Sequence, residues 1–404
     1  MAVGAQVDAR LQTAPDGLAR WNPFRCGGLE LPTNLVIMAK AIAIALLLTK
    51  HFLLLPDPFL PFLPGMDRIP GVLFQRAMQV LMVGAAVALL LNVRVRLTAL
   101  LLGMSLLLSV VASKAYYGNN KTFCGLILVL ASLHQPGRSP WMLRLQMVVV
   151  YFGAGLNKLL DPDWRSGVFS HNWVVNRLHQ PVFIALEPLL PGLVLAKIMS
   201  WFTIGTELFL SVAFLVRRLY PVGIWLSILL HAGMLLFTGS TFTLFFYGMT
   251  AAMLVFVDWS EQPLTVIYDG DCGFCDATRR LFTRLDLEGG LRWVPSRNVQ
   301  LERFGITKEM ARERVYVVDG SRVLGGFRAV RRMVLHNPAA YVVTYVLLAA
   351  PGPRDSMFRN VLVAILLVLF SPLFTPVGEA MYRAVAQNRH RLSRNSQCML
   401  EDER

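Results

Sequence analysis

The chain is short of charge, short of acid and short of cysteine. Of its 404 residues only 16% are charged, 25 Asp and Glu stand against 39 Lys and Arg, and there are five cysteines. A soluble domain carries about a quarter of its residues as charges, so an entirely soluble chain is excluded. Cys26, Cys124, Cys272, Cys275 and Cys398 contain one informative spacing, which excludes a secreted disulfide framework. The segment from Met1 to about Pro32 also lacks the short apolar core of a signal peptide. The first apolar helix is therefore expected to stay in place as a membrane span.

What fills the chain instead is apolar, 55% of it. Apolar runs near twenty residues, the length that crosses a bilayer, recur between about residues 35 and 257. They predict eight spans: 35–55, 71–92, 97–117, 121–135, 140–160, 193–216, 220–238 and 240–257. The fourth is short for a full crossing. Much of the positive charge behind the net +14 lies in short inter-helix loops and in the C-terminal third. Arg10, Arg20 and Arg25 precede the first span, Arg94 and Arg96 follow the second, Arg138 and Arg144 flank the entry to the fifth, and Arg217 and Arg218 follow the sixth. Those sites fall on alternate loops, so the positive-inside rule places all of them, the N-terminus and everything after Trp259 in the cytoplasm. The intervening loops are mixed, with Asp57, Asp67 and Arg68 in one. The long stretch 161–192 reads as an outer cap or interfacial helix. An anionic lipid surface, not nucleic acid, is the expected partner of the excess charge.

From Pro263 the texture changes. Leu264–Tyr268 reads as a strand, Cys272–Asp286 as a helix, Leu291–Val294 as a second strand and 298–313 as helical. A hairpin follows over Arg314–Val318 and Val323-Leu324, then a basic helix over 326–336. That order is the thioredoxin arrangement. The expected architecture is thus a multi-pass α-helical membrane bundle of about eight spans followed by an α/β thioredoxin-like domain. Its segments are a polar 1–34, a membrane domain 35–260, a thioredoxin-like domain with apolar C-terminal helices 261–394, and a polar tail 395–404. Of the two apolar stretches 341–350 and 358–375, the second is long enough to span. Crossing alone it would export Arg383, Arg389, His390, Arg391 and Arg394, so it is expected to pack on the domain or lie at the inner membrane surface.

Cys272 and Cys275 follow a strand and open a helix. Unpaired amides and the helix dipole stabilise an anion there. Cys272 is the expected attacking thiolate and Cys275 the resolving thiol, with Asp269, Asp271 and Asp276 opposing ionisation. Two other readings stay open: half of a zinc site, for which only Cys398 and His336 are candidate further ligands, or two inert buried thiols.

Val266-Ile-Tyr-Asp-Gly-Asp-Cys-Gly-Phe-Cys275 resembles the signature of the DCC family (DUF393) of thiol-disulfide oxidoreductases. Gly326, Ala329 and Tyr382-Arg-Ala-Val-Ala-Gln-Asn-Arg-His-Arg391 resemble that family's other motifs. The resemblance implies a redox-active dithiol and a thiol or disulfide partner. One departure from thioredoxin proper is that no proline precedes the Arg314–Val318 strand, where thioredoxins dock peptide.

In the membrane half, Tyr151-Phe-Gly-Ala-Gly-Leu-Asn-Lys-Leu-Leu-Asp-Pro-Asp-Trp-Arg-Ser-Gly167 resembles a motif of vitamin K-dependent γ-glutamyl carboxylases and the wider HTTM domain. The resemblance implies that Lys158 is a catalytic base acting on a quinol, and so implies a quinone cofactor of the vitamin K kind. The residues alone require no cofactor. They allow Lys158 to be a desolvated base or a lysine reaching for headgroups. His231, Glu207, Asp163 and Trp164 are the candidate pocket residues around it. Lys40, Lys50 and Lys114 are expected to snorkel.

Three functions follow. The first is a membrane thiol-disulfide oxidoreductase whose bundle binds a quinone-like substrate. The second is a carboxylase-like enzyme, for which the chain lacks a large peptide-recognition domain. The third is a non-enzymatic redox-sensing scaffold. Under the predicted topology the dithiol and Lys158 stand about 30 Å of hydrocarbon apart.

Overall fold

The computed structural model describes residues 21–54, 68–113, 116–135, 137–238, 243–350 and 357–392. Residues 1–20, Asp57, Asp67, Lys114, Arg394, Cys398 and the tail 395–404 lie outside the described residues. All eight predicted spans contain helix. They are α1 (Thr33–Leu48), α2 (Gly71–Leu90), α3 (Val95–Ala112), α4 (Asn119–Ser132), α5 (Trp141–Leu160), then, after a break, α9 (Val194–Ala213), α10 (Tyr220–Thr238) and α11 (Thr243–Ala252). The break holds the short helices α6 (Pro162–Ser166), α7 (Val168–His171) and α8 (Pro181–Leu186), with a π-helical turn at Asn172–Arg177.

Length divides these eight helices. Among the described residues four are long and apolar enough to cross a membrane, namely α2, α3, α9 and α10, and a fifth candidate is the bent pair 360–370 with 375–389 further along the chain. At 1.5 Å per residue, the 16 residues of α1 and the 14 of α4 extend about 24 and 21 Å, short of a hydrocarbon core about 30 Å thick. α1 is apolar on every side and buried along nearly its whole length, packed between α2, α11 and a later helix, as an all-round apolar helix requires. Around it, Val80, Val149, Ile198 and Phe202 point outward and exposed, an apolar surface of the kind lipid covers.

Lys40 is a second correction. It does not snorkel: it is fully buried in α1 and its ammonium donates to the carbonyls of Pro23 (2.7 Å) and Arg25 (2.5 Å). The N-terminal segment is thereby folded back over the end of α1. Lys50 is exposed.

The basic loops gather at one end. The Arg96 amide donates to Glu30 Oε2 at 3.0 Å, the Arg144 guanidinium to the Val255 carbonyl at 3.3 Å, and Arg217 to Asp258 Oδ2 at 3.3 Å. The α/β unit sits at that same end: Glu288 accepts from the amides of Cys26 and, at 2.8 Å, Gly27, and Arg322 shares Asp258 at 3.0 Å.

That unit contains β1 (Leu264–Tyr268), α12 (Gly273–Leu285), β2 (Leu291–Pro295), α13 (Lys308–Glu313), β3 (Tyr316–Asp319), β4 (Arg322–Gly325) and α14 (Phe327–Leu335). The sheet order is β2-β1-β3-β4, with β1 parallel to β2 and antiparallel to β3, and β3 antiparallel to β4. Alternation along β1 sends Leu264 and Val266 to a core with Ala329 and Met333, and Ile267 to a second core with Leu301 and Ile306. The predicted order of elements is the order found.

The chain then returns to the bundle. α15 (Pro338–Ala349) packs on α1, and its Tyr341, Val342, Tyr345 and Leu348 join the bundle core. Tyr247 donates to the Leu348 carbonyl at 2.6 Å. α16 (Met357–Phe370) lies against α10 and α15, and α17 (Thr375–Leu392) leaves it at 98°. Of the two placements expected for 358–375, packing on the sheet domain is not the one found: α16 packs on α10 and α15 of the bundle.

Candidate active site

Cys272 is the N-cap of α12, with Gly273 the first helical residue. Its carbonyl accepts from the Asp276 amide at 3.0 Å. The sulfur makes no cap bond of ideal geometry, yet the Cys275 and Phe274 amides act on it as positive ends. Cys272 is 2% exposed and Cys275 half-buried, and both are free thiols. The Cys275 thiol, as donor to Cys272, is the largest influence holding the Cys272 thiol down to about 5. Burial opposes it, and the Cys275 amide, Arg389 and the Phe274 amide add to it. Cys275, giving the hydrogen bond, is pushed up. One sulfur is set to ionise and the other to hold its proton.

The three nearby carboxylates do less against this than their number implies, because each has a cation. Asp276 pairs with Arg279 (2.8 Å) and Arg280 (2.5 Å), Asp271 with Arg297 (2.7 Å) and Asp269 with Arg389 (3.7 Å). Arg389 comes from α17, which lies across the site. Glu379 of α17 accepts from the Arg328 amide at 3.3 Å at the start of α14, and Tyr382 accepts from the Val315 amide at 2.9 Å. Gly326, at φ +62°, turns the chain into α14, and a Cβ there would sit 2.7 Å from the Glu379 carboxylate. Val315 leads into β3, where the sequence lacks a proline. A helix of the same chain thus takes up the backbone amide just before β3.

The second candidate site lies on α5. Tyr151, Gly155 and Lys158 share one helix face by spacing. Lys158 Nζ donates to both Glu207 oxygens of α9 at 2.9 and 2.8 Å and stands 5.1 Å above the Trp164 ring. Trp164 stacks on Phe169 at 4.5 Å. Of the four residues named with Lys158 from the sequence, Glu207 and Trp164 are thus beside it. His231 joins a separate cluster, its Nε2 2.9 Å from the Tyr151 hydroxyl, which also meets Ser227 at 2.7 Å. Its buried Nδ1 has no partner among the described residues. Asp163 is not brought to Lys158: it is exposed, with its amide held by Asp161 at 2.9 Å. Around the cysteines, no group of three His, Cys, Asp or Glu that could hold a metal exists among the described residues. His336 stacks on Trp259 at 4.9 Å.

Residues 129–260 match the model of the HTTM domain, and residues 266–362 match that of the DCC1-like thiol-disulfide oxidoreductases. The chain joins an HTTM domain to a DCC1-like domain. No curated protein and no solved structure matches it. The HTTM match takes in α5 to α11 with Lys158, Glu207 and His231, and the DCC1-like match takes in both cysteines but ends before α17. Sequence reasoning therefore missed Arg389, Tyr382 and Glu379 as parts of the site. The signal was the Tyr382–Arg391 motif, read for resemblance and charge and not for contact. Within the HTTM domain, α5 carries Arg144 at the DCC1-like end and Lys158 fourteen residues on, roughly 21 Å away along the helix. The dithiol and the lysine face different ends of the bundle.

Gly155 makes the lysine site possible. A Cβ there would meet Leu208 of α9 at 2.9 Å and its backbone nitrogen at 3.1 Å. Gly155→Val is expected to part α5 from α9, costing about 1–3 kcal/mol as overpacking does. The drop in the thermal unfolding midpoint of detergent-solubilised protein is the check, and an unchanged midpoint would show that the helices can yield there.

Proposed function

We propose that the protein is an integral membrane thiol-disulfide oxidoreductase in which Cys272 exchanges with a partner and Cys275 closes or opens the internal disulfide. The observation that carries this is the placement of the pair: Cys272 is the N-cap of α12, Cys275 follows within its first turn, and Arg389 of α17 pairs with Asp269 just before them. In the reducing direction the Cys272 thiolate attacks a partner disulfide. A mixed disulfide forms and the partner's other sulfur leaves as a thiolate, taking the Cys275 proton. Cys275 then attacks Cys272 Sγ and expels the partner's second thiolate. Two electrons pass to the partner and the protein disulfide is left. A stabilised thiolate favours the dithiol form, so the protein disulfide is the stronger oxidant and the reverse direction is the favoured one.

The test is alkylation of Cys272 against pH in the full chain, followed by mass spectrometry. A labelling midpoint near 5 and a reversible Cys272–Cys275 disulfide are expected. No labelling below pH 8 and no disulfide would remove the redox reading and leave a scaffold.

The gathering of the basic loops beside the DCC1-like domain supports a cytoplasmic position for it under the positive-inside rule. The same parity supports eight helices traversing the bundle, the shorter ones shielded by their neighbours. A second reading concerns the HTTM domain: a quinone-like substrate near Lys158. It is favoured by the ammonium above Trp164 and by the unpartnered buried nitrogen of His231. Extraction of a quinone with the purified protein would support it, and phospholipid alone would count against it.

A further inference from the structure

A hollow of about 880 Å³ lies where the two domains meet, lined by Arg144, Arg217, Arg218, Arg322, Arg328 and Arg331. Asp258 is the one carboxylate in its wall, and it is shared between Arg217 and Arg322. Arg144 is spent on the Val255 carbonyl and Arg331 on Ser371 and Thr375. Arg218 and Arg328 have no side-chain partner among the described residues. Arg331 is half-buried, with the like charge of Arg328 and the carboxylate of Glu379 both acting on it. The arginines come from three places: the start of α5, the turn between α9 and α10, and the β4–α14 segment. The fold has brought them together across the domain boundary, where a solvated charged face would not need to.

The rest of the wall is apolar. Ile224 of α10 and Leu369 and Phe370 of α16 face the same space, and both helices belong to the bundle. The hollow therefore lies at the level where headgroups meet hydrocarbon, with guanidinium above and aliphatic side chains below. Guanidinium groups match phosphate oxygens in geometry and charge. A free phosphate would leave the apolar wall in water.

We propose that this hollow is a binding site for an anionic phospholipid, its phosphate held by Arg218 and Arg328 and its chains laid on Ile224, Leu369 and Phe370. Bound there, the lipid joins the turn after α9 to the start of α14 and ties the DCC1-like domain to the bundle.

The full chain in detergent, titrated with phosphatidylglycerol or phosphatidylcholine and read by native mass spectrometry, tests this. Phosphatidylglycerol adducts are expected to exceed phosphatidylcholine adducts by about tenfold or more, and millimolar inorganic phosphate is expected not to displace them. One basic residue near an anionic headgroup contributes roughly 1 kcal/mol, so R218Q/R328Q is expected to weaken phosphatidylglycerol binding by about 30-fold. R303Q/R312Q, which removes the same charge from exposed positions outside the hollow, is expected to leave it unchanged. Retained labelling of Cys272 in both variants reports that they fold. Equal retention of the two lipids, displacement by inorganic phosphate, or equal loss in the two variants would each overturn the proposal.

Discussion

Cys275→Ala is expected to raise the titration midpoint of Cys272 well above about 5, because it removes the donor that contributes most to the stabilised thiolate. At pH 6 the rate of alkylation falls, but by less than the loss of thiolate alone. A thiolate of higher pKa is more nucleophilic, with a Brønsted slope of about 0.4–0.5, so the net loss is roughly tenfold. Arg389→Gln is expected to move the midpoint the same way by less, since its charge ranks below the Cys275 thiol and amide. Cys275→Ser, which keeps an O–H donor, is expected to stay near the wild type and to trap the mixed disulfide. The linkage has a definite sign. The Cys272 thiol is lowered on folding from an ordinary value of 9.0 to about 5, so its contribution to the stability of the reduced protein is full above pH 9. It is lost as pH falls toward 5. The unfolding midpoint of the reduced protein relative to Cys272→Ser should therefore rise between pH 5 and pH 9. A flat difference would mean that the sulfur is not ionised in the folded state.

The second large effect is expected at Lys158 and Glu207. Removing one member of a largely buried ion pair leaves the other charge without its partner. That costs 3–5 kcal/mol in full burial, and about 2–3 kcal/mol here because the side chains are 19% and 10% exposed. Lys158→Met and Glu207→Gln should each lower stability by that amount, while the double variant should recover most of the loss. A double-mutant cycle in detergent measures the difference. Additive losses would mean that the two groups are already solvated apart. If Lys158 also serves a quinone, the double variant separates the roles: stability returns and quinone retention does not.

The parts of the fold that were legible in the sequence are those set by local pattern. A strand, a turn and Cys-Gly-Phe-Cys at a helix start were read correctly because the short β-rich run Leu264–Tyr268 and the Asp-Gly-Asp turn are local features. The number of membrane-length helices was not legible, because apolarity does not mark where a helix ends, and α1 and α4 stop at 16 and 14 residues. Lys40 was misplaced for a related reason: its partners are carbonyls fifteen and seventeen residues back, which no periodicity marks. The same holds at the candidate active site. Arg389 lies more than a hundred residues from Cys272 in the chain, and the insertion of α15 and α16 between them hid the contact. Glu207 could be named as buried and ionisable, but its pairing with Lys158 depends on Gly155 letting two helices close.

The DCC1-like domain leaves the bundle after Phe256 and is drawn back into it at Pro338. An appendage held by one flexible stem could travel between a donor and an acceptor, as swinging carrier domains do. This one is stitched to its base at both edges and cannot make that journey. Under the exchange proposed above it is a diffusing partner that must come to this fixed station, where Arg389 of α17 stands beside the cysteines.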